Sequence, residues 1–133
     1  LGVTPPSGNR YALFLAPAGL AWERGSGAES DRTKPGPVVI SEDRSKYPPP
    51  HVPLRFADTG CPLTPITGHP KLGKAGLGIK GEPPDQAFVF AVVGNVDTDP
   101  DWDCWSVASH DRRDEDGDLI PAGTPFNERD DTE

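Results

Sequence analysis

The sequence predicts a mainly β protein, a small antiparallel sheet with long Gly/Pro-rich loops. Three observations point there. Seventeen prolines and fifteen glycines among 133 residues interrupt any long helix, because proline lacks the amide donor and glycine weakens a helix interior. Residues 87–107 run apolar, then acidic, then apolar again, and Phe, Val and Trp suit a pleated, half-buried surface. Apolar residues make up only 34% of the chain, so the core is small and its length reads as one domain over residues 1–133.

Taken in order, residues 1–8 form a turn-rich lead-in, and residues 9–15, with Tyr11, Leu13 and Phe14, read as a first strand ended by Pro17 and Gly19. Residues 23–37 are polar and broken by glycine and proline, which fits a surface loop. Val38, Val39 and Ile40 suit a short strand. Residues 47–53, Tyr-Pro-Pro-Pro-His-Val-Pro, favour a stiff extended connector. Residues 60–84 carry no strand pattern. The hairpin over 87–107 turns through Gly94, Asn95 and Pro100, which supply the backbone angles of a turn. Beyond it the chain is acidic, and the polar tail from 123 to 133 reads as frayed.

The formal charge is −8, so a nucleic-acid backbone and an anionic membrane surface are repelled rather than attracted. The longest apolar run, residues 87–93, is far short of the roughly 20 residues a helix needs to span a bilayer. Neither a nucleic-acid partner nor a membrane span of its own is expected.

A bond between Cys61 and Cys104 closes a loop of roughly forty residues and contributes about 3 to 4 kcal/mol. The heavy loop content favours it over two free thiols, and it requires an oxidising compartment. The chain starts at Leu1 and holds no methionine, which reads as an exported chain freed of a signal peptide.

Two acidic runs carry the metal-ligating chemistry. Asp97, Asp99, Asp101 and Asp103 recur at every second residue along the hairpin turn, and Asp114, Asp116 and Asp118 surround Gly117. Carboxylate oxygens of this kind suit a hard cation, so one Ca²⁺ held between the runs stands beside the plainer reading of solvated turn aspartates. The EF-hand pattern is absent, because Trp102 occupies the glycine position. No other cofactor is expected. Residues 68–75 keep P-loop spacing until Ala75 replaces the hydroxyl that binds Mg²⁺. His51, His69 and His110 lack zinc-ligand spacing, no nucleophile elbow is present, and no enzyme is expected. Trp102 and Trp105 fall on opposite faces of a strand, one packing inward and the other free to make contacts.

Gly8-Asn9-Arg10-Tyr11, the run Phe88-x-Phe90-x-Val92-x-Gly94-Asn95-Val96-Asp97-x-Asp99, and Trp102-x-x-Trp105-Ser106-Val107 together resemble the globular part of bacterial type IV pilins, particularly the larger environmental ones. The long middle of the chain carries no such signature. The resemblance implies an extracellular filament subunit, displayed at the cell surface, whose antiparallel sheet packs on a long helix and whose loops face outward. The apolar N-terminal helix of that family is missing from this sequence. A truncated pilin domain and a split pilin both fit, and the split form is preferred: a second short chain supplies the helix, and further copies build the filament. Tyr11, Leu13, Phe88, Phe90, Trp102 and Trp105 are the expected interface. A secreted calcium-dependent binding module is the alternative from another class.

Overall fold

The computed structural model describes residues 8–19, 21–22, 38–95, 97 and 99–130; the loop expected over 23–37, most of the lead-in and the last three residues lie outside them. In chain order β1 (Tyr11–Phe14), β2 (Ala21–Trp22) and β3 (Val39–Ile40) precede one 3₁₀ turn at Phe56–Thr59. Strands β4 (Ile66–His69), β5 (Gly73–Ala75) and β6 (Gly78–Lys80) follow it. Then come β7 (Ala87–Gly94), β8 (Asp103–Ala108), β9 (Arg112–Arg113), β10 (Leu119–Ile120) and β11 (Phe126–Arg129). The architecture is mainly β, as the proline and glycine content requires.

The expected hairpin is the centre of the sheet. Strand β7 pairs antiparallel with β8 from Val89↔Ala108 to Gly94↔Asp103. Its other edge is shared, with β1 against residues 91–94 and β6 against residues 87–89. Strand β3 extends the sheet antiparallel from β1, β2 joins β3 in parallel, and β11 closes the far side on β8.

Side chains alternate across a strand, so the register decides what shares a face. Ala12, Phe14, Val39, Ala91, Val93 and Cys104 point to one side, and with Val52 and Trp102 they form a buried cluster. Leu54, Phe56, Cys61 and Leu63 lie over it. Phe56 meets Phe14 edge to face, ring centroids 5.6 Å apart. The β4–β5 hairpin covers the rest of this face, setting Ile66 and Ala75 against Ala87, Val89 and Ala108. Each large apolar side chain buried here contributes about 1.5–3 kcal/mol. The Cys61–Cys104 disulfide forms, with Cα atoms 6.1 Å apart, and pins the covering segment to β8.

Two expectations are corrected. Residues 60–84 are not patternless, since they hold β4, β5 and β6; these strands are too short and glycine-rich to show a period, and long-range pairing makes them. Residues 68–75, already set aside as a P-loop because of Ala75, are the end of β4, the turn and β5 of one hairpin, not a strand, loop and helix. The tail is not frayed over residues 126–129: Phe126 pairs with Ser106 and Asn127 with Trp105, and a bulge then shifts the register before Arg129.

What holds β11 is a buried ion pair. Arg112, 2% exposed, sends its Nη1 to Glu128 Oε1 at 3.3 Å, to Ser106 Oγ at 2.8 Å and to the Thr64 carbonyl at 2.9 Å. Glu128 also accepts from the Thr64 amide at 2.9 Å and the Thr64 hydroxyl at 2.8 Å. Burial pulls the Arg112 guanidinium below its ordinary value, and the charge and hydrogen bond of Glu128 oppose that. Arg112 therefore does not balance the neighbouring acidic run, as its place in the sequence suggests; it ties β8, β11 and the residue 64 segment together.

Candidate functional site

The other face of the sheet is built from the alternate residues of the same strands. Register places Ile79 beside Phe88, Leu13 beside both Val92 and Ile40, Phe90 beside Val107, and Val92 beside Trp105. Nearly every one of these side chains is apolar, yet none belongs to either buried cluster. Ile40 is buried; Leu13, Phe88, Phe90, Val92, Trp105 and Val107 are half-buried, and Ile79 is 67% exposed. Phe88 and Phe90 stack on each other, centroids 4.6 Å apart and rings 17° from parallel, and neither belongs to a buried cluster of the described residues. A sheet normally buries one face and wets the other with polar residues. Here both faces are apolar and the described core occupies only one.

At one end the face turns polar. Tyr11, Gly94 and Asp103 form a row across β1, β7 and β8. The Tyr11 ring lies flat over Gly94, where a Cβ would come within 2.7 Å of the ring, and its hydroxyl donates to Asp103 Oδ2. Trp105 Nε1 donates to the same oxygen at 2.8 Å, and Asn127 Nδ2 reaches Oδ1 at 3.4 Å. Asp103 is 4% exposed.

Five of the six expected interface residues thus share the outer face: Tyr11, Leu13, Phe88, Phe90 and Trp105. Trp102 does not. It stands one residue before β8 on the side of Cys104, 9% exposed in the inner cluster, so it is the inward tryptophan and Trp105 the outward one.

The Gly8-Asn9-Arg10-Tyr11 motif braces the start of β1. The Gly8 amide donates to Asp43 Oδ2 at 2.8 Å, Asn9 Nδ2 donates to the Ser41 carbonyl at 2.9 Å, and Arg10 sits 5.0 Å over the Tyr47 ring. Tyr47 in turn donates to the Gly8 carbonyl at 2.8 Å. The motif's first three residues are structural, and the fourth completes the outer face.

The acidic runs are separated and locally occupied. One enters β8 and the other lies beyond its opposite end, so residues 97–101 and 114–118 do not converge on a single ion as expected. Asp97 Oδ1 accepts the Asp99 amide and Asp99 Oδ1 the Asp101 amide; Asp114 Oδ1 accepts the amides of Asp116 and Asp118. Asn95 Nδ2 closes the first loop onto the carbonyls of Asp99 and Asp101. These are side-chain-capped turns. Among the described residues no three His, Cys, Asp or Glu side chains gather as a metal site.

Sequence spacing gave no sign of one further pairing. His69 and His110 meet edge to face with centroids 4.9 Å apart in an open groove with Ser109 and Asp111. His69 Nδ1 accepts the amides of Lys71 and Leu72, so this nitrogen is committed to the β4–β5 turn, while His110 Nδ1 lies 2.8 Å from Ser109 Oγ. Among the described residues no helix is long and apolar enough to cross a membrane. No protein-family model matches this chain, and no curated protein matches it.

Proposed function

We propose that this chain is the globular, outward-facing part of a type IV pilus subunit, and that its outer sheet face packs on an apolar helix supplied by a short partner chain. The observation that carries the reading is the half-buried apolar stripe of Leu13, Phe88, Phe90, Val92 and Trp105 opposite a sheet face that already holds the core. An apolar face of this kind is an interaction surface rather than a stable boundary with water. From Phe88 to Val92 the stripe runs about 13 Å at ~3.3 Å per residue. A helix rising ~1.5 Å per residue covers that length with roughly nine residues. The disulfide supports export to an oxidising compartment, and the capped acidic turns and proline connector are the parts left to face the medium.

The function is assembly and display, not turnover. Its test is co-expression with a short open reading frame encoded upstream that carries a cleavable leader and one apolar helix. The two chains are expected to co-purify and to enter filaments, and Phe90→Asp, folded by circular dichroism, is expected to abolish both. A wild-type chain that melts cooperatively as a monomer and takes up no such helix overturns the proposal.

A further inference from the structure

We infer that the helix covering the outer face brings a basic side chain to Asp103, at the Tyr11 and Trp105 end of the apolar stripe. This rests on the docking role given to that face above. Asp103 is 4% exposed, and its partners, the Tyr11 hydroxyl, the Trp105 indole and the Asn127 amide, are all neutral. None of the ion pairs among the described residues includes it, whereas the buried side chain of Glu128 has Arg112 and the buried Glu42 has Arg44. At this exposure the carboxylate is already held almost wholly by neutral donors. A purely apolar helix laid over the face adds no compensating charge to a group taken out of water, which is unfavourable for a carboxylate. A lysine or arginine on the helix reverses the sign of the effect, and the net charge of −8 draws a cationic partner toward the surface from a distance.

The register also sets where the basic residue falls. The Asp103 row lies two residues beyond Val92 on β7, about 7 Å at ~3.3 Å per residue. One helical turn rises about 5.4 Å, so the basic side chain follows the last apolar contact by one turn, in an apolar-x-x-x-basic spacing.

Two synthetic helices test this, each with one leucine stripe, one bearing lysine a turn past the stripe and the other glutamine there. Fluorescence anisotropy against the intact, oxidised chain reads the affinity. The lysine helix is expected to bind about tenfold more tightly at low salt, with the difference shrinking as salt is added. Asp103→Asn, which keeps an acceptor for Tyr11 and Trp105, is expected to erase the difference. Should that variant fail to fold, the salt dependence of the lysine advantage on the wild-type chain decides the matter. Equal binding of both helices to the wild type overturns the basic partner and leaves the docking face standing. Binding of neither helix, or binding of both unchanged by Phe90→Asp, overturns the docking face itself.

Discussion

Replacing Gly94 by alanine is expected to destabilise the protein for a reason that a second substitution reverses. Gly94 is the last residue of β7, still paired with Tyr11 and Asp103 on both sides, and alanine improves on glycine within a paired strand by up to about 0.5–1 kcal/mol. Here a Cβ would stand 2.7 Å from Tyr11 Cδ1 and 2.9 Å from both Cε1 and Cγ. The ring cannot slide away freely, because its hydroxyl is held by the buried carboxylate of Asp103. Displacing it breaks a hydrogen bond to a charged group, a loss of about 1.5–3 kcal/mol, and leaves Asp103 with one donor fewer. Gly94→Ala should therefore lower stability by about 2 kcal/mol, which in a chain of this size is a fall in Tm of roughly 6–10 °C. In a Tyr11→Ala background the obstruction is gone, and the same change should raise Tm slightly. Thermal melts of the four proteins in the cycle measure this directly. An equal loss in both backgrounds would refute the account, since the cost would then come from the β7 backbone and not from the ring.

Other outcomes follow from the same interactions. Glu128→Ala leaves the Arg112 guanidinium buried without its counter-charge and should cost about 3–5 kcal/mol by urea denaturation, while pairing it with Arg112→Met should recover part of that loss. Reducing the Cys61–Cys104 bond, which closes a loop with a sequence separation of 43, should lower stability by about 4 kcal/mol in melts with and without a reductant. Asp114→Ala removes the acceptor of two backbone amides and should speed hydrogen exchange at Asp116 and Asp118 while shifting Tm little, because that turn is largely exposed. Millimolar calcium should leave Tm unchanged, since the two acidic runs lie apart and several of their carboxylates already cap backbone amides. A rise of several degrees would show that the turns rearrange around an ion.

Much of this protein is local chemistry that the chain order displays. Proline and glycine forbid long helices, and the unbroken apolar run from Phe88 to Val93 specifies a strand with two apolar sides, because a side chain's face follows from its parity alone. The same parity put Trp102 and Trp105 on opposite sides. Which of the two faces the core was undecidable until residues 52–63 were seen lying over the Cys104 side, a choice made by packing between segments forty residues apart. The short strands between residues 66 and 80, the rescue of the polar tail by Glu128 and Arg112, and the meeting of Tyr11 with Asp103 across 92 residues likewise belong to tertiary structure. No periodicity records them, because each depends on a partner brought close only once the sheet has formed. Sequence determined that there would be two apolar faces; folding decided which one the described core occupies, because only packing between distant segments can choose between them.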